Sequence, residues 1–146
     1  MTALADKLEV DFALIQSSGS RKSPEGKKYT VVGEVQGKVG FIVDDQIDSP
    51  KEFIGAAKAM MADGALRVYV IATHGIFSGD SLKKLHDCSD VHEVIVTNTM
   101  PVPKDFTTPK LKIIDVSDTF AEAIRRTRNG ESISYLFFHT PEELYQ

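Results

Sequence analysis

Lys38-Val39-Gly40-Phe41-Ile42-Val43-Asp44-Asp45 is an apolar, β-branched run that stops abruptly on two acids, and its reading as a buried strand decides the fold. Downstream, Phe53, Ala57 and Met60 recur at helical spacing between Pro50 and Asp63, and Gly64 sits where a glycine closes a helix. Arg67 to Ala72 reads as a second strand, so the segment is strand, helix, strand. The pattern continues with a short helix at Ser81 to His86, strands at Glu93 to Thr97 and Leu111 to Asp115, and a helix at Ser117 to Asn129 ended by Gly130. Such alternation argues an α/β chain whose mostly parallel sheet is flanked by helices in a single domain. Upstream, Thr2 to Leu8 reads as the tail of a helix and Gln16 to Lys28, which has no periodicity, as a loop. Tyr29 to Val35 and Lys38 to Val43 flank Gln36-Gly37 and suggest a hairpin, and Ser134 to Phe137 suggests a short terminal strand.

Composition narrows the function classes. A chain of 146 residues, 42% hydrophobic and 26% charged, falls in the range of one compact domain with its own core. Its net charge of -4, with Lys and Arg scattered, lacks the basic footprint of a nucleic-acid binder. No apolar stretch approaches the roughly 20 residues that span a bilayer, so no membrane is expected. The single cysteine, Cys88, has no internal disulfide partner, and the first residues lack a signal-peptide apolar run, which points to a cytoplasmic protein.

In open parallel sheets ligands bind past the carboxyl ends of the strands. The residues there are Asp44 and Asp45, then Thr73, His74 and Gly75, then Thr97 and Asn98, then Asp115 and Ser117. Paired carboxylates suit vicinal hydroxyls or a hard cation, although two solvated loop acids are the commoner case. His74 reads as a proton shuttle or as a histidine packed beside Gly75. His86, Asp87, Cys88, Asp90 and His92 carry ligand-type side chains without the spacing of a structural zinc site.

Taken in order, Val43-Asp44-Asp45-Gln46-Ile47-Asp48, Ala72-Thr73-His74-Gly75-Ile76-Phe77-Ser78-Gly79, Val96-Thr97-Asn98-Thr99 and Ala123 through Phe137 resemble the C-terminal domain of the ribose-phosphate pyrophosphokinase (PRPP synthetase) family. The resemblance implies a phosphoribosyltransferase-like fold over residues 1–146, with ribose 5-phosphate held at Asp44, Asp45, Asp48 and Ser49. It implies Mg2+ with ATP for the full family enzyme, supplied largely by an N-terminal ATP-binding domain that these residues do not include. It also implies a regulatory phosphate or ADP site at Arg126, Ser132, Ser134 and Phe137, and assembly with other PRPP synthetase subunits as a homo- or hetero-oligomer. No metal ligand is assigned in this chain.

The sequence departs from the family at the phosphate loop. Catalytic members resemble Asp-Asp-x-x-Asp-Thr-x-Gly-Thr, whereas this chain continues Asp48-Ser49-Pro50-Lys51-Glu52-Phe53. A phosphate at a helix start needs free N–H groups and small residues, and Pro50 has no N–H. Ser49-Pro50-Lys51-Glu52 has instead the pattern of a capping box that satisfies its own helix start. Glu52 also brings a negative charge; at roughly 4 Å and an effective dielectric near 20 it repels a unit charge by about 4 kcal/mol. The expectation is a non-catalytic or regulatory subunit similar to the synthetase-associated proteins; the alternative is a fragment of a catalytically active ribose-phosphate diphosphokinase.

Overall fold

The computed structural model describes residues 2–19, 27–102, 104 and 106–139. A helix α1 (Thr2–Leu8) precedes β1 (Leu14–Ser18) and β2 (Lys28–Val32); then come β3 (Val39–Ile47), α2 (Lys51–Ala62), β4 (Arg67–Gly75), α3 (Ser81–Asp87), β5 (Glu93–Thr97), β6 (Leu111–Ile114), α4 (Ser117–Asn129) and a 3-10 helix, Ile133–Phe137. Strands β3-β4-β5-β6 form one sheet in that order, and its parallel pairing is what the alternation of elements argues.

The sheet's buried face is set by strand parity. Val68, Val70 and Ala72 of β4 and Val94 and Val96 of β5 point to one side, where they meet Phe53, Ala57 and Met60 of α2 and Leu82 and Leu85 of α3. Gly40 admits the Met60 methyl group against β3; a Cβ there would overlap it. On the opposite face Phe41 stacks on Tyr69 at 5.3 Å between centroids, and Phe41 stays 57% exposed. Helix α2 closes as its glycine predicts, with Gly64 at φ +90 and the Ala65 N–H donating to the Met60 carbonyl at 3.0 Å.

Several local expectations are corrected. Tyr29 to Val35 does not pair with Lys38 to Val43. β2 ends at Val32 because Gly33, at φ +132, turns the chain, and β2 pairs antiparallel with β1, Ile15 opposite Val31. β3 instead pairs parallel with β4, Phe41 opposite Tyr69. Part of the expected loop, Gln16 to Ser18, is strand; residues 20–26 of that loop lie outside the described residues. Ser134 to Phe137 is not a strand but part of the 3-10 helix, since the left-handed Gly130 cap folds the chain back along α4 rather than toward a sheet edge.

The expected capping box does not form either. Pro50 adopts helical angles (φ -77, ψ -13) and its carbonyl accepts from the Ile54 N–H at 2.9 Å, so proline begins the helix as anticipated. Among the described residues, however, no hydrogen bond joins Ser49 to the first turn. The Glu52 carboxylate turns across to Lys27 Nζ at 2.5 Å.

Candidate functional site

β3 and β4 are longer than the sequence suggested, and their last residues build the floor of a site. Gln46 pairs with His74 and Ile47 with Gly75. The Ile47 carbonyl then accepts from both the Ile76 and the Phe77 N–H at 3.0 Å. This pair of hydrogen bonds to one carbonyl goes with a left-handed Phe77 (φ 51), a conformation unfavourable for a bulky residue that is offset here by burying the residue to 2% exposure. One residue further the Ser78 N–H donates to Asp48 Oδ1 at 3.2 Å, so the β4 extension orients the third acid of the loop.

Asp44, Asp45, Asp48 and Ser49, the predicted sugar-phosphate residues, do converge: all line one open cleft of about 630 Å³. The Asp44 carboxylate accepts from the Asp45 N–H at 2.8 Å, which fixes how the pair is presented. The other wall is the first turn of α2, with Lys51, Glu52 and Phe53. A third wall was not foreseen. Lys27 and Tyr29 enter from the start of β2, because the β1–β2 ribbon lies against α2 with the Tyr29 ring over Gly55. Lys27 sat in a stretch read as an aperiodic loop, 25 residues from Glu52, and no periodic signal could have placed it.

The cleft is thus bipolar. Carboxylates at the β3 end have the chemistry to accept hydrogen bonds from hydroxyls, and lysines at the α2 end have the charge to meet an anion. The like-charge cost assigned to Glu52 shrinks in this setting, since its side chain is 55% exposed and its ion pair with Lys27 offsets part of the field. Among the described residues no three His, Cys, Asp or Glu side chains group closely enough to hold a metal ion. Mg2+ is usually bound by one or two carboxylates plus substrate phosphates, which is the role left for an ion carried in by a nucleotide.

His74 lies at the neighbouring strand ends, outside this cleft, with Nδ1 at 2.7 Å from Thr99 Oγ1. The Thr97 hydroxyl donates to the Thr73 carbonyl at 2.7 Å, so this threonine pair ties β5 to β4. Asn98 donates to Asp115 Oδ1 at 2.7 Å and accepts from the Val116 N–H at 3.0 Å. The Ser117 hydroxyl, then the Ser117 N–H and the Asn98 amide, hold the Asp115 carboxyl below its ordinary value. These strand-end groups satisfy one another and form the start of α4. His86 meets Thr108 at 2.7 Å and stands edge-on to Phe106, while His92 stands edge-on to Tyr69, so the ligand-type residues near the end of α3 serve separate packing contacts.

The second predicted set lies around α4. The Arg126 guanidinium donates to Glu122 Oε1 at 2.8 Å and to the Ser132 carbonyl at 3.2 Å, and it covers the Tyr135 ring at 4.4 Å. Glu122 is 4% exposed, and Arg125 donates to both its oxygens and to both oxygens of Glu131. Ser132 and Ser134 are exposed, and Phe137 is 72% exposed with its carbonyl accepting from Lys7 Nζ at 2.8 Å. Among the described residues Tyr135 and Phe137 lie outside the hydrophobic core, Tyr135 stacking on His139 and under Arg126.

The chain is similar to known proteins over most of its length. Residues 5–138 match the phosphoribosyl synthetase-associated domain family. The chain is 46% identical over 141 residues to ribose-phosphate pyrophosphokinase 4 of Saccharomyces cerevisiae, covering 97% of this chain and 42% of that protein. It is similar in structure to the phosphoribosylpyrophosphate synthetase of Mycobacterium smegmatis, with a TM-score of 0.76 and 34% identity, covering 88% of this chain and 40% of that one. The chain thus spans about two fifths of the length of these relatives.

Proposed function

Since the chain belongs to the phosphoribosyl synthetase-associated domain family, we propose that it is the sugar-phosphate-side, C-terminal domain of a PRPP synthetase homologue, in which the loop after β3 no longer supports catalysis. Family chemistry joins ribose 5-phosphate and ATP to give PRPP and AMP. In this reading Asp44 and Asp45 accept hydrogen bonds from the ribose hydroxyls, and the phosphate reaches the start of α2. The observation that carries the reading is Pro50, a helical residue at the site where a phosphate would need an N–H donor. A transferring phosphoryl group needs preorganised donors and cations around it, and loss of one donor costs catalysis about 10²-fold or more.

The chain is then a regulatory cytoplasmic subunit that assembles with catalytic chains. Supporting assembly, Phe120 and Ile124 on α4 are 57% and 70% exposed, and Phe137 and Phe138 beside them are 72% and 73% exposed. A phosphate or ADP site at Ser132, Ser134 and Phe137 remains part of the proposal, with Arg126 holding the Ser132 carbonyl in place. The test is calorimetric titration with ribose 5-phosphate, with and without Mg2+, of this chain and of a variant restored to the catalytic pattern by Ser49→Thr, Pro50→Ala, Lys51→Gly and Glu52→Thr. Much tighter binding by the restored variant than by the native chain supports the reading. Comparable binding by the native chain overturns it and favours half of an active enzyme.

A further inference from the structure

The anion end of the cleft already contains an anion. Lys27 Nζ and Glu52 Oε1 stand 2.5 Å apart, and both residues line the cleft that holds Asp44, Asp45 and Asp48. The pair bridges two elements distant in sequence, and Tyr29, packed over Gly55, keeps the start of β2 against the first turn of α2. Lys27 is the more enclosed partner, its side chain 26% exposed against 55% for Glu52, so the cation is held toward the protein and the carboxylate toward solvent. Lys51, beside Glu52 on the same wall, forms no ion pair with a described residue.

We propose that Glu52 is a resident substitute for the phosphate of the ligand: it holds Lys27 in the position from which that lysine binds the phosphate, and ligand entry exchanges one anion for the other. This rests on reading the cleft as a sugar-phosphate site and adds the residues that replace the missing N–H cradle. Lys27 and Lys51 supply two cations from two elements, and Glu52 swings outward when a phosphate arrives. A half-exposed carboxylate suits this role because its solvent-screened ion pair is weak and its release restores hydration. A phosphate dianion outbids it through greater charge and more acceptor oxygens. The exchange makes the site selective for phosphorylated over neutral sugars, since only an anion can take over Lys27.

The experiment is calorimetry of four chains with ribose 5-phosphate and, separately, with inorganic phosphate: native, Glu52→Gln, Lys27→Met, and the double variant. Glu52→Gln is expected to bind ribose 5-phosphate about tenfold more tightly than the native chain, the scale of removing one partly screened charge. The double variant is expected to lose that gain, and inorganic phosphate to follow the same order. Unchanged or weaker binding by Glu52→Gln, or a gain that survives in the double variant, overturns the proposal. Failure of Glu52→Gln to bind while the restored-loop variant binds sinks the substitute-anion idea alone; failure of both sinks the sugar-phosphate reading with it.

Discussion

Replacing Gly55 by alanine should change sign with the identity of residue 29. The ideal Cβ at Gly55 overlaps the Tyr29 ring, reaching Cδ2 at 2.5 Å and Cζ at 2.7 Å, so the rigid ring must leave the helix surface. Gly55 lies inside α2, where glycine to alanine stabilises a helix by about 1 kcal/mol. Against this, displacing the ring from a half-buried position exposes roughly 80 Å² of apolar contact, about 2 kcal/mol at 25 cal/mol per Å². The ring wins, and Gly55→Ala should destabilise the native chain by about 1 kcal/mol. In a Tyr29→Ala background only the helix gain is left, and the same substitution should stabilise by about 1 kcal/mol, a coupling of about 2 kcal/mol. Urea denaturation of the four chains gives the cycle, and amide exchange of Tyr29 to Val32 assigns the loss to the β1–β2 ribbon. Effects of the same sign in both backgrounds would refute the packing of this ribbon on α2, and with it the third wall of the cleft.

Gly75→Ala should destabilise by about 2 kcal/mol, because the added Cβ meets Phe77 Cε2 at 2.5 Å and Val96 Cγ2 at 3.1 Å in a filled core; an unchanged urea midpoint would contradict it. The Glu131 carboxyl, hydrogen-bonded by Arg125, should titrate below its ordinary 4.5 in an NMR pH series. Because its folded value is lowered, its contribution to stability is present above pH 4.5 and is lost as pH falls through the folded value; Arg125→Met should return the midpoint to the ordinary range. Arg126→Ala removes a hydrogen bond to buried Glu122 and the cation over Tyr135, at about 2 kcal/mol, and should first loosen the 3-10 helix. Retained chemical shifts from Ile133 to Phe137 would count against that tie.

Period and punctuation made much of this protein readable in one dimension. Apolar alternation in β4 and β5, helical spacing of Phe53, Ala57 and Met60, and the glycines at 64 and 130 are each local and nearly fixed the parallel α/β order. The convergence of Asp44, Asp45 and Asp48 was also legible, because strand ends in such a sheet open on one side. Backbone partners were not. Tyr29 to Val32 has the composition of a strand whichever neighbour it takes, and Gly33 directed it to β1 instead of β3. The capping box failed for a related reason: Ser49 and Glu52 have the right spacing, but a lysine distant in the chain competes for the carboxylate with a full charge, against a partial charge on a helix N–H. The sequence by itself determined the strand and helix order from β3 to α4, the family and the acid end of the cleft, since these depend on residues close together along the chain. Only the tertiary structure decided that Lys27 and Tyr29 complete the cleft, and that Arg126 is committed to Glu122 and Tyr135, because those contacts depend on which surfaces pack.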